Sequence, residues 1–205
     1  AKKSRNIHGR EREMTKVLGI SGSLTAGGST RSLVDLALHA ASAGDLNVTT
    51  DVIDLREINI SFCDGRPVEE YQDDTASVIN RIQAADAYVI GTPIYRGTYT
   101  GALKNLIDHV PIEAFCGKTV GLIGNAYTDH HYLSIDQELK TVLAWFNMHI
   151  VPGSVYVRAD QMKGGQIVDK FAADHLKRLG QAVTAMSAFL TPEHQGPPPL
   201  VLWPR

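Results

Sequence analysis

The sequence is poor in cysteine and has almost no net charge, and it contains no long apolar run. Each shortage removes a class of protein. Cys63 and Cys116 are the only cysteines in 205 residues. They are far apart and form no C-x-x-C pair, so a reduced, cytoplasmic setting is expected rather than a disulfide framework. The formal net charge is −2, which leaves no basic field to gather nucleic acid. No apolar stretch approaches the roughly 18 residues that a membrane-spanning helix requires. The first residues, AKKSRNIHGREREM, are charged and lack an apolar core, so 1–15 is expected to be an exposed arm and not a secretory signal.

Hydrophobic residues make up 43% of the chain, enough for one domain with a full core. An alternation of short apolar strands and amphipathic helices fills residues 16–190. Lys16–Ile20 is an apolar strand, and 32–43 a helix whose inward face is Leu33, Leu36, Ala37 and Ala40, closed by Gly44. Asn47–Ile53 alternates with β-branched residues and reads as the second strand. An irregular stretch, 54–67, precedes a helix over 75–85 and a buried strand over 86–90. The second half repeats the pattern with a helix over 102–110, a strand over 118–123 and a helix over 133–146. The fifth strand is either 149–150 or 154–157, and a last helix runs over 166–190. Residues 191–205, TPEHQGPPPLVLWPR, form a proline-rich tail that cannot be a regular helix. Its apolar Leu200–Trp203 suit either a loose end or a contact with a neighbouring subunit. Five strands alternating with helices predict an α/β fold, a parallel sheet covered on both faces. Ligands in such sheets bind outside the carboxyl ends of the strands.

The loop after the first strand reads SGSLTAGGSTRS, Ser21–Ser32. It holds hydroxyls, glycines and one cation, Arg31, and its first carboxylate is Asp35 inside the helix. Backbone N–H groups at a helix start, together with Ser and Thr hydroxyls, suit an anion. An ordinary turn with Ser29 or Thr30 as helix cap accounts for one hydroxyl, not for all of them. The P-loop of nucleoside triphosphatases requires lysine where Gly28 stands, and the dinucleotide fingerprint G-x-G-x-x-G is absent. A loop for a terminal monophosphate, as on FMN, remains.

The loop after the third strand, GTPIYRGTYTGALKN from Gly91, brings a stiffening Pro93, the flat surfaces of Tyr95 and Tyr99, and Gly97 and Gly101, where backbone can approach a planar ligand. The loop after the fourth strand, GNAYTDHHY from Gly124, adds Asn125 and Tyr127. Asp129, His130 and His131 lack a further ligand cluster, so no metal is expected there.

Together these stretches resemble the NADPH-dependent FMN reductase family. The resemblance covers about residues 16–190, and T-P-x-Y followed by G-x-L-K-N-x-x-D is its most specific part. It implies a flavodoxin-like three-layer fold with strand order 2-1-3-4-5. It implies FMN as cofactor, with the phosphate at Ser21, Ser23, Ser29, Thr30 and Arg31. The flavin ring is then expected at Pro93, Ile94, Tyr95, Arg96 and Gly97, and again at Gly124, Asn125, Ala126 and Tyr127. NADPH or NADH is the implied co-substrate, and a homodimer or homotetramer the implied assembly. Within the family the chain resembles flavin reductases that supply two-component monooxygenases, such as those of alkanesulfonate metabolism, which makes such a monooxygenase an implied partner. Where many relatives carry arginine soon after the Gly-Ser pair, this chain has Thr25.

Hydride transfer between nicotinamide and flavin requires no protein nucleophile, only rings held about 3–3.5 Å apart with one flavin face open. Tyr95, Tyr99 and Tyr127 are expected to line that approach. Arg96 is expected to meet a phosphate of the pyridine nucleotide, to stabilise the reduced flavin anion, or to remain a solvated surface residue. A quinone or azo-dye reductase of related fold is the alternative enzyme. A flavin-binding electron carrier is the non-enzymatic one, although such carriers present an acidic docking surface that a charge of −2 does not supply.

Overall fold

The computed structural model describes residues 14–43 and 45–190, together with 196, 197 and 199. The expected cap at Gly44 and most of the arm and tail lie outside the described residues. Seven-residue strands β1 (Thr15–Ser21), β2 (Val48–Asp54) and β3 (Ala87–Pro93), with β4 (Thr119–Ala126), form the body of a parallel sheet. With β5 (His149–Ile150) at the edge, the spatial order is β2-β1-β3-β4-β5. Every residue of β3 is buried, as a central parallel strand covered on both faces requires.

Both candidates for the fifth strand are present. β5 (His149–Ile150) pairs with the start of β4, and β6 (Val155–Arg158) pairs with its end. They are separated at Pro152–Gly153, where Gly153 has φ of 82°, a left-handed conformation that costs glycine little. The split strand therefore fills one sheet position and still reaches the carboxyl edge at Arg158.

Helices cover the two faces. α1 (Thr30–Ser42) and the last helix pack on one face around Leu33, Ala37, Val89, Leu176, Leu179 and Val183. On the other face α2 (Thr75–Gln83), α3 (Gly101–His109), the single turn α4 (Ile112–Phe115) and α5 (Lys140–Trp145) surround Tyr88, Leu103, Leu106, Phe115 and Leu143. The Tyr88 hydroxyl sits in that core within hydrogen-bond distance of two carbonyls, of Ile82 (2.8 Å) and Ala114 (2.9 Å), either of which can accept its one proton.

Two expectations are corrected. The helix over 133–146 is α-helical only in its second half, because Ile135–Leu139 is a π-helical segment. Ile135, Leu139 and Leu143 still face the core, so the wider turn is absorbed without loss of the apolar stripe. The last helix, α6, is Lys170–Phe189 and does not begin at Gln166. Residues before it form a small antiparallel hairpin, β7 (Met162–Lys163) with β8 (Gln166–Ile167). Gly164 and Gly165, both at positive φ, make its turn, and such a turn is incompatible with a continuing helix. Asp169 then caps α6 by accepting from the Ala172 N–H at 2.7 Å.

No described helix is long and apolar enough to cross a membrane.

Candidate active site at the carboxyl edge of the sheet

The ends of β1, β3, β4 and β6 converge on one cavity of about 320 Å³. Of the residues singled out from the sequence, Ser23, Ser29, Thr30, Pro93, Ile94, Tyr95, Asn125, Ala126 and Tyr127 line it. Ser21 and Gly124 stand beneath it in their strands. Arg31, Arg96 and Gly97 stand outside the lining. Thr25 and Gly28 of the first loop, Val157 and Arg158 at the end of β6, and Ala159 and Met162 just after it complete the wall.

The first loop is shaped around its backbone. Gly28 donates to the Thr25 carbonyl at 3.0 Å, and the Ser23 hydroxyl accepts from the Thr25 N–H at 3.2 Å. A Cβ at Gly28 would come within 3.0 Å of the Thr25 carbonyl oxygen and 3.1 Å of Ser23 Oγ, so a larger residue would fill the cradle. At Gly27, φ is 69°. Ser29 is the N-cap of α1, but no side chain caps the helix. The helix therefore keeps first-turn N–H groups for an outside acceptor. Beneath the loop, Ser21 Oγ is buried with no hydrogen-bond partner among the described residues. Uncapped amides, hydroxyls and the glycine cradle make a donor set that fits a phosphate.

The other loops are tied to this one. Gly22 donates to the Gly91 carbonyl at 2.7 Å, and the Thr100 hydroxyl donates to Gly22 O at 2.6 Å while accepting from Leu103 N–H to cap α3. Thr30 Oγ1 donates to Asn125 Oδ1 at 2.8 Å. The Asn125 carbonyl accepts from Ile94 N–H at 2.9 Å. Past Ile94 the chain makes a tight turn, with reciprocal bonds between Tyr95 and Thr98. Its central residues Arg96 and Gly97 have φ of 54° and 94°, the arrangement of a type I′ turn. Arg96 is thus held exposed at a turn tip. Tyr95 and Tyr127 are 49% and 86% exposed and stand at the cavity mouth. Tyr99, expected beside them, is instead half-buried and packs against the core.

Charge at the site is arranged by Asp54, at the end of β2. Its buried carboxylate accepts from Arg56 and lies 3.6 Å from the Arg31 guanidinium. Burial acts to raise the Asp54 carboxyl, but the hydrogen bonds from Arg56 and the charges of Arg56 and Arg31 outweigh it and hold it below the usual carboxylate range. Arg31 also donates through Nε to both Asp35 oxygens, at 2.9 and 3.0 Å. The cation of the first loop is therefore shared between two carboxylates.

Residues 157–162 were not singled out from the sequence. Register carries them to the site: Asn125 pairs with Val157 and Ala126 with Arg158. The signal that points to them is positional, since a fifth parallel strand must also end at the ligand edge.

Residues 15–163 match the family described as NADPH-dependent FMN reductase. An NAD(P)H-dependent FAD/FMN reductase of Geobacillus thermodenitrificans is 39% identical over 172 residues, covering 83% of this chain and 92% of that one. The NADH-dependent FMN reductase SfnF of Pseudomonas putida is 25% identical over 170 residues, with 83% and 91% coverage. Among solved structures, the apo form of an NADH:FMN oxidoreductase, EmoB, superposes with a TM-score of 0.70 at 23% identity, over 88% of this chain and 92% of that one. A flavodoxin from the domain Archaea reaches 0.59 at 12% identity, over 85% and 99%. These two structural likenesses bear on the fold, which is flavodoxin-like.

Proposed function

The chain belongs to the NADPH-dependent FMN reductase family, and from that premise we propose that it reduces FMN with NAD(P)H at the cavity where β1, β3, β4 and β6 end. The observation that carries the placement is the uncapped start of α1 beside the Gly28 cradle, a donor set made for a phosphate. Ser23, Ser29 and Thr30 would hold that phosphate, with Arg31 acting at the base of the loop through Asp54. Pro93, Ile94 and Tyr95 on one side, and Asn125, Ala126 and Tyr127 on the other, would frame the ring. When bound, FMN supplies the hydride acceptor for reduced nicotinamide. The chain's own part is to bind, to orient and to leave one side of the mouth open, with the exposed Tyr95 and Tyr127 offering flat surfaces to an incoming ring. No side chain is required as nucleophile.

The proposal extends to a homodimer or homotetramer in the cytoplasm that delivers reduced FMN to a monooxygenase. The two free cysteines support a reduced compartment. An exposed Trp145 beside an apolar groove of about 470 Å³ between α3 and α5 supports association.

A second reading is an azo-dye reductase. It is favoured by a 36% identity over 115 residues to an FMN-dependent NADPH-azoreductase of Staphylococcus haemolyticus, covering 54% of this chain and 60% of that one. Steady-state oxidation of NADH and NADPH with FMN, FAD, a quinone or an azo dye as acceptor separates the two. Turnover that requires added FMN and saturates with it supports the flavin reductase. Turnover with the azo dye at bound flavin, and none with free FMN, supports the alternative.

A further inference from the structure

The cavity has donors for a phosphate, but the loop that cradles it places no cation in the lining. Arg31 is ion-paired with Asp35 and lies 3.6 Å from Asp54, as Arg158 is paired with Asp160, but it does not line the cavity. Arg96 stands outside it at an exposed turn. Among the described residues, Arg158 is the one lysine or arginine in the lining. It is the last residue of β6, placed beside Ala126 by the sheet register.

Arg158 is also held in a fixed geometry. Its N–H donates to Gln161 Oε1 at 2.9 Å. Its guanidinium meets Asp160 side-on, Nε to Oδ1 and Nη2 to Oδ2, each at 3.0 Å. A guanidinium carries five N–H donors, so this fork leaves three for another acceptor while fixing the plane. The segment that follows is anchored to the phosphate loop itself. Met162 lines the cavity, Val168 N–H donates to the Gln161 carbonyl at 2.9 Å, and Ser32 Oγ of α1 donates to the Gly165 carbonyl at the hairpin tip at 2.6 Å. The strand end and hairpin thus form a wall facing the start of α1.

We propose that Arg158 is a phosphate-binding residue for the flavin: its free guanidinium N–H groups supply, from the fifth strand, positive charge in the cavity wall, where the first loop places no cation. The assignment rests on the function proposed above and deepens it. It implies a preference for phosphorylated flavin set partly by a residue outside the glycine- and hydroxyl-rich loop.

The test is fluorescence titration of wild type, Arg158→Ala and Arg158→Lys with FMN and with riboflavin, which has the same ring and no phosphate. Charge-assisted hydrogen bonds of this kind correspond to about 10- to 100-fold in Kd. Arg158→Ala is therefore expected to raise the Kd for FMN by that factor and to leave that for riboflavin unchanged. Arg158→Lys, which keeps the charge without the fork, is expected to recover part of the loss. Equal losses for both flavins, or an unchanged Kd for FMN, would overturn the assignment. An unchanged Kd for FMN with a raised KM for NADPH would move Arg158 to the pyridine nucleotide and overturn it as well. If wild type bound neither flavin, the function itself would fall, and the assignment with it. If wild type bound FMN and only the Arg158 comparison came out negative, the function would stand and the assignment alone would be lost.

Discussion

Thr25 Oγ1 and Tyr95 OH lie 2.8 Å apart, joining the loop after β1 to the loop after β3 across the cavity wall. Both residues line the cavity. A single exposed hydrogen bond of this type contributes about 0.5–1.5 kcal/mol. Thr25→Val and Tyr95→Phe are each expected to raise the Kd for FMN about 2- to 10-fold by fluorescence titration, and the double variant to do no worse than the stronger single one. Additive losses would show that the two side chains act separately.

Arg96 sits at a turn tip with φ of 54°, a conformation that costs a non-glycine residue on the order of 1 kcal/mol. Arg96→Ala is expected to raise the KM for NAD(P)H while kcat at saturation changes little. An unchanged KM would make Arg96 a solvated surface residue. Arg96→Gly relieves the backbone cost and is expected to raise the melting temperature slightly.

Gly180 lets α6 approach α1 closely. A Cβ there would fall on the Ala37 carbonyl and lie 3.0 Å from the Ala41 N. Neither contact is with a flexible side chain, so relief requires a shift of whole helices. Gly180→Ala is expected to destabilise by about 3 kcal/mol, read as a lowered denaturation midpoint with an unchanged m-value. A midpoint within error of wild type would contradict the tight α1–α6 packing.

Asp54 carries a pH dependence. Its folded carboxyl lies below its ordinary value, and such a group contributes stability above the unfolded pKa of about 4 that is lost as pH falls through the folded value. Melting temperature is therefore expected to fall steeply below about pH 4, and Asp54→Asn to flatten that part of the profile while lowering stability near neutrality. A profile identical to wild type in Asp54→Asn would remove Asp54 from the account.

The sheet was legible in the chain because its strands are short apolar runs between amphipathic helices, and because buried parallel strands such as Ala87–Pro93 have no polar face to obscure them. What was not legible came from long-range register and from local turns. The π segment at Ile135–Leu139 contains no proline or glycine to announce it. The helical spacing of the last helix extends back to Gln166, but Gly164–Gly165 turn the chain into a hairpin and the helix starts only at Lys170. At the site, the glycine and hydroxyl content of Ser21–Ser32 marked the phosphate loop directly. Val157–Ala159 carries no such signature and reaches the cavity only because β6 lies beside the end of β4. Arg31 looked available in the sequence because Asp54 is 23 residues away along the chain, yet the pairing of β1 with β2 brings the two within 3.6 Å.

The central claim is that the cavity edged by Ser23, Gly28, Thr30 and Asn125 binds FMN by its phosphate as well as its ring. Titration of the purified chain with FMN and riboflavin, followed by flavin fluorescence, tests it directly. The account predicts saturable binding of FMN, tighter than that of riboflavin by at least about 10-fold, with the difference shrinking when Gly28 is replaced by valine. Equal affinity for the two flavins, or no saturable binding of FMN, would contradict it.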